Sequence, residues 1–381
     1  MEGELLNPLT RPTVAALLLG AALAMAGCTP AAPAPTTAPP EAPKGKPAEA
    51  AKPVAAPASP AASPAAGESK PVAALPPGPL KTFTVSLPSL TAGIGSILIA
   101  EREGFLARQG VKLEYTLHQG GPPALQAMMA DAADATLQIT GTTVNAIANG
   151  ADIAIVAGYQ VDPDYQLWAR PEIGSVSELA GKRVASADPG SELNTITKRI
   201  LSFYGLTPEK YDIAPVGATG ARYAALTQGA VEATLLSAPV TFDAEARGFK
   251  LLGSSAEAIP QYMFGTMATK RDWARQNSDT LVRFLRGYQD ALDWIEDPAN
   301  KAKVVEHWAD IAKTNPEAAA KTYELYVTGP LKDKMLSKKA GVSLEGMKAV
   351  VDMMTEGGIL KRPVSIDELL DLSYLEQASK R

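Results

Sequence analysis

Hydrophobic and polar positions divide the 381-residue chain into three textures. The first is an apolar run, Val14-Ala-Ala-Leu-Leu-Leu-Gly-Ala-Ala-Leu-Ala-Met-Ala26, too short to cross about 30 Å of hydrocarbon. The second, over residues 29–80, has no apolar period. From Lys81 a third begins, in which strand and helix patterns alternate. Thr82-Phe-Thr-Val-Ser-Leu87 has period two and predicts a strand. Ile97 to Gly110 reads as a helix closed by glycine, and Val111-Lys-Leu-Glu-Tyr-Thr-Leu117 as the next strand. A helix from Pro123, a strand Ala135-Thr-Leu-Gln-Ile139, a helix from Val144 and a buried strand Ile153-Ala-Ile-Val-Ala157 follow.

The pattern then repeats. Strand Lys182–Ser186 leads to a helix with Leu193, Ile196, Ile200 and Leu201 on one face, then strand Tyr211–Val216. A helix over Arg222 to Thr227 and a strand Ala233-Thr-Leu-Leu236 complete the second unit. Both units end alike, in Asp134-Ala-Thr-Leu and Glu232-Ala-Thr-Leu. Strands alternating with single helices predict an α/β fold with right-handed crossovers and two mostly parallel sheets. Met263-Phe-Gly-Thr-Met-Ala268 reads as a strand returning to the first unit, and the C-terminal third as helical. The expected organisation is lobe I over 81–174 plus 257–381, with lobe II, 175–256, inserted and two strands crossing the hinge.

Composition explains the first two textures. The apolar run, with small residues leading into Cys28, predicts an export signal over 1–27. Leu23-Ala-Met-Ala-Gly-Cys28 resembles a bacterial lipobox, whose cysteine carries lipid; an ordinary signal with a chance cysteine is the alternative. Residues 28–80 then form a tether. Fifteen of the 31 prolines and no aromatic residue fall within 29–80, so this stretch cannot bury enough apolar surface to offset its ordering entropy. An extracytoplasmic protein held at a membrane by lipidated Cys28 is the expectation. One cysteine excludes a disulfide framework, and two distant histidines, His118 and His307, exclude a histidine-rich metal centre. A net charge of −5 without a Lys/Arg stripe argues against nucleic acid. No phosphate-binding glycine motif or nucleophile elbow occurs, so no cofactor, metal or catalytic residue is expected.

Several fragments carry a resemblance. They are Glu103-Gly-Phe-Leu-Ala-Arg-Gln-Gly-Val111, Ser175-Val-Ser-Glu-Leu-Ala-Gly-Lys-Arg-Val184, Gln228-Gly-Ala-Val-Glu-Ala233, Ala246-Arg-Gly-Phe249, Ala291-Leu-Asp-Trp-Ile295 and Val364 to Leu375. In order and spacing from Lys81 onward, they make the chain resemble solute-binding proteins of ABC transporters. The group concerned binds nitrate, alkanesulfonates, taurine and thiamine-pyrimidine precursors. The resemblance implies a two-lobed periplasmic-binding-protein fold, type II-like, a small-molecule ligand in the cleft and an ABC permease as partner. A monomer is expected. A sensor partner without a transport role is one alternative, and an enzyme on the same fold, such as a pyrimidine-precursor synthase, is another. The second would need histidine and cysteine at its active site, and the lone cysteine is committed to the anchor.

Ligands of parallel α/β sheets bind beyond the carboxyl ends of strands, beside helix N-termini. That rule selects Ser89, Leu90 and Thr91 after the first strand, and Thr140, Gly141 and Thr142 after the third. In lobe II it selects Gly190, Ser191, Thr219 and Pro239, with Tyr159 near the hinge as an aromatic candidate. Each hydroxyl has a competing role as a helix cap, Ser191 above all. Without paired Arg or Lys at these positions, a small organic anion or planar heterocycle is favoured over a dianionic phosphate.

Overall fold

The computed structural model describes residues 79–189, 191–259, 261–329 and 331–380. The export signal, Cys28, the tether up to residue 78 and Gly190 lie outside the described residues. Strands β1 (Lys81–Leu87), β2 (Val111–Leu117), β3 (Ala135–Ile139) and β4 (Ile153–Gln160) build the first sheet with β10 (Gly265–Lys270), in the order β2-β1-β3-β10-β4. Strands β5 (Gln166–Ala169), β6 (Arg183–Ser186), β7 (Asp212–Pro215), β8 (Ala233–Leu236) and β9 (Lys250–Ser254) build the second, β7-β6-β8-β5-β9.

Both sheets are mixed yet mostly parallel, as expected, with one strand in each running against the other four. β10 runs against β3 and β4, and β5 runs against β8 and β9. The cause is the hinge. The parallel strands end their carboxyl termini at the lobe interface, so a strand arriving from the other lobe enters there and must run the opposite way. β5 also moves the lobe boundary. The chain leaves the first sheet at Gln160 and has joined the second by Gln166, earlier than residue 174. It returns between Ser255–Ala258 and Gly265. The two crossing segments are tied together: Phe264 N donates to Val161 O (2.6 Å), Tyr262 N to Asp162 Oδ1 (2.9 Å) and Ser255 Oγ to Pro163 O (2.7 Å).

Helices cover the sheets. In order they are α1 (Ala92–Arg102), α2 (Phe105–Arg108), α3 (Gly121–Met129), α4 (Thr140–Ala148), α5 (Glu192–Phe203), α6 (Thr219–Thr227), α7 (Val240–Ala246) and α8 (Ser255–Ala258). The helical C-terminal part follows as α9 (Arg271–Gln276), α10 (Ser278–Glu296), α11 (Lys301–Ala312), α12 (Pro316–Tyr323), α13 (Leu344–Glu356), α14 (Ile366–Leu369) and α15 (Ser373–Ser379). The helix expected from Ile97 to Gly110 instead starts at Ala92 and breaks at Gly104, whose φ of 72° closes it. Gly93 and Gly95 disguised its first turn, and only Gly93 is packed too closely for a side chain. A Cβ at Gly93 would lie 2.4 Å from Gln160 Oε1, and one at Gly95 3.4 Å from the Trp308 ring. Beneath α1, Phe83 stacks on Phe284 at 4.3 Å and Ser96 Oγ pairs with Tyr288 Oη at 2.8 Å, joining α10 to the first sheet.

Candidate ligand-binding cleft

Seven strands, β1 to β4 and β6 to β8, direct their carboxyl ends at one cavity between the lobes. Pro88, Ser89 and Thr91 follow β1, Gln119 to Pro122 follow β2, Ile139 and Thr142 come from the end of β3 and the start of α4, and Tyr159 and Gln160 close β4. Lobe II supplies Ala187, Asp188, Ser191 and Glu192 after β6, Gly217 to Thr219 and Arg222 after β7, and Ser237 after β8. Asp164, Tyr165 and Phe264 enter from the crossing segments. The cavity has an interior volume of about 80 Å³ and is partly open to solvent.

Six of the expected residues meet here: Ser89, Thr91, Thr142, Tyr159, Ser191 and Thr219. Thr91 and Ser191 also cap helices, accepting from Ile94 N (3.4 Å) and Asn194 N (3.3 Å), so the two readings of each hydroxyl coexist. Leu90 and Pro239 fall one step outside, in an adjoining groove at the cleft mouth with Leu117, Val240 and Ala312. Thr140 faces away from the cavity. It is fully buried, and its hydroxyl donates to Phe264 O (3.1 Å) and lies 3.2 Å from Thr266 Oγ1, because α4 starts at Thr140 and turns that side chain into the sheet. Gly141 contributes its amide to a protein carboxylate and does not line the cavity.

That carboxylate, Glu192, was not among the expected residues. It is 2% exposed on the first turn of α5 and reaches across to lobe I. Its Oε2 accepts from Gly141 N at 2.5 Å, and its Oε1 accepts from Tyr262 Oη at 2.6 Å. Thr142 adds a backbone hydrogen bond, yet burial dominates and pushes the Glu192 carboxyl up to about 8. Its sequence signal is a charge sharing the α5 face of Ile196 and Ile200, both fully buried. Asp164 accepts from Gln160 Nε2 (3.3 Å) and from Tyr326 Oη, and burial again raises its carboxyl. Arg222, 1% exposed, donates from Nε to Leu235 O (3.2 Å), from Nη2 to Thr219 Oγ1 (3.1 Å) and from Nη1 to Gly217 O. It also bonds the Tyr165 hydroxyl, and burial lowers its proton affinity. Among the described residues, no group of three or more His, Cys, Asp or Glu is placed to hold a metal ion.

Comparison with known proteins agrees with this architecture. The putative binding protein YtlA of Bacillus subtilis is 20% identical over 298 residues, covering 74% of this chain and 85% of YtlA. The zinc-bound ligand-binding component of an ABC-type import system from Staphylococcus aureus superposes with a TM-score of 0.67 at 12% identity. That match covers 79% of this chain and 100% of the other. The alkanesulfonate-binding protein SsuA of Xanthomonas axonopodis, bound to MOPS, gives a TM-score of 0.61 at 19% identity, over 75% and 96% of the two chains. A nitrate-binding protein shares the fold, as does the desulfurization enzyme DSZB. The fold is therefore that of the periplasmic binding proteins, hosting mostly binders and at least one enzyme. A family model described as NMT1/THI5 like matches residues 92–301, more than half of the sequence, and the chain belongs to that family.

Proposed function

We propose that this protein is an extracytoplasmic solute-binding lipoprotein that captures a small organic molecule between its lobes and delivers it to an ABC importer. The observation that carries this reading is the convergence of seven strand ends, from two separate sheets, on one partly open cavity. A ligand there touches both lobes, so it binds the closed form better than the open one, and that difference alone drives closure. Moving the population from 1:99 to 99:1 takes about 5.5 kcal/mol of differential affinity. Export and anchoring rest on Leu23-Ala-Met-Ala-Gly-Cys28, and the tether would let the lobes reach a permease. Cys28→Ser should move the protein from the membrane to the soluble fraction; unchanged membrane attachment would remove the anchor.

A thermal-shift screen of the full chain tests the binding itself. A solute of the cleft should raise the melting temperature saturably with concentration. Thr142→Trp, which fills the cavity from the start of α4, should abolish the shift while leaving the ligand-free melting temperature within a few degrees. A shift that persists in this variant would place the bound molecule elsewhere, and turnover of that molecule would point to an enzyme.

A further inference from the structure

The start of α4 and the one basic side chain lining the cleft offer little to an anion. In this architecture, a helix N-terminus with free amides is the natural seat for an oxyanion. Here the start of α4 is already taken, because Glu192 from the opposite lobe occupies Gly141 N at 2.5 Å. The one basic side chain of the cavity, Arg222, is turned into the protein, its guanidinium held by Leu235 O, Gly217 O, Thr219 Oγ1 and the Tyr165 hydroxyl. Three acidic side chains, Asp164, Asp188 and Glu192, line the same space.

Two further features point to what would satisfy them. Gln138 is fully buried beneath Gly121, which lines the cavity, and its Oε1 has no hydrogen-bond donor. The orientation of this amide is fixed by its neighbour. The Thr136 hydroxyl donates to the carbonyl of Ser86 (3.1 Å) and so must accept from Gln138 Nε2 (2.8 Å), which leaves the carbonyl oxygen facing Gly121 and Thr142. An orphaned buried acceptor costs about 1–3 kcal/mol until a donor reaches it. The second feature is aromatic. Tyr159, Tyr165 and Phe264 wall the cavity, the last two edge-on at 5.4 Å, and aromatic faces attract ammonium and amidinium groups.

We propose that the cleft selects a hydrogen-bond-donating organic cation, an amine or amidinium, over oxyanions. Its charged head is held by Asp164, Asp188 and the aromatic walls, and its apolar body runs toward the mouth groove of Leu90, Leu117, Pro239 and Val240. The proposal rests on the cleft being a solute site, and the test separates the two.

The full chain is screened by thermal shift and calorimetry against benzylamine, putrescine and choline, beside benzoate, butanesulfonate and nitrate. At least one amine should raise the melting temperature saturably, and none of the anions should. Asp164→Asn and Asp188→Asn should each weaken that amine, the first at least about tenfold, as expected when a charge-assisted bond becomes a neutral one. Asp188 is exposed, so its variant stays informative if Asp164→Asn folds poorly, which the ligand-free melting temperature reports. Anions that bind while amines do not would overturn the cation assignment and leave solute binding standing. Unchanged amine affinity in both variants would also overturn it. No shift from either class would remove the solute-binding reading, and this inference with it.

Discussion

Glu192→Gln should abolish most of a fall in stability that the wild-type protein shows as pH rises from about 4.5 to about 8. The sign follows from where the proton sits. An unfolded glutamate loses it near 4.5, whereas the buried carboxyl holds it up to about 8. Below 4.5 both states are protonated and no penalty exists. Between the two values the folded state binds the extra proton, so each rise in pH favours unfolding, and above 8 the full penalty is present. At about 1.4 kcal/mol per pH unit, a shift of this kind is worth a few kcal/mol. Glutamine keeps an oxygen for Gly141 N and a group for the Tyr262 hydroxyl but cannot ionise. Urea midpoints of the two proteins should therefore differ least near pH 5 and most near pH 8. Parallel pH curves would show that Glu192 is not held in this desolvated contact. Burial also raises the Asp164 carboxyl, which acts in the same direction and should survive in the variant.

Gly141→Val should weaken solute binding by about tenfold and also lower stability by about 1–3 kcal/mol. A Cβ at this position would sit 2.8 Å from Glu192 Cδ and 2.8 Å from Met354 Sδ, between α4, α5 and α13. Forced overpacking of this kind costs about 1–3 kcal/mol, and here part of it falls on the state in which the lobes touch. An open form relieves the clash with Glu192, so that part of the cost appears as lost affinity through the closure equilibrium. The clash with Met354 lies within lobe I and costs stability. Calorimetry with any solute found in the thermal-shift screen reads the affinity, and small-angle scattering should show a larger radius of gyration. Unchanged affinity would mean that the α4–α5 contact does not report on closure. Gly141 thus bears on the cleft through Glu192, and not by facing a ligand.

Much of the fold was legible because local pattern and tertiary role agree. β1, β2, β3 and β8 read as strands from alternation or unbroken apolar runs, and α5 from its apolar face ending at Gly205. β5 and β9 were missed, being four and five residues long with no period to detect. The antiparallel direction of β5 and β10 depends on the route of the chain through the hinge, which no local pattern encodes. At the site, the rule of strand ends selected Ser89, Thr91, Thr142, Ser191 and Thr219, which line the cavity. It missed Glu192, Asp164 and Phe264, whose places depend on the approach of two lobes. Gly141 and Glu192 are 51 residues apart, and Asp162 and Tyr262, which align the crossing segments, are 100 apart. The proposed cation departs from the small organic anion or planar heterocycle expected from sequence, because the Glu192 side chain at the α4 N-terminus comes from the other lobe.

Capture between the lobes is tested most directly by hydrogen–deuterium exchange of the full chain, with and without the screened compound that gives the largest saturable melting shift. Protection should appear together in the turns after β1, β2, β6 and β7, at the start of α4 and in the crossing segments 161–165 and 261–264. Protection confined to one lobe, or to α10–α12, would place the bound molecule outside the cleft and contradict capture by closure.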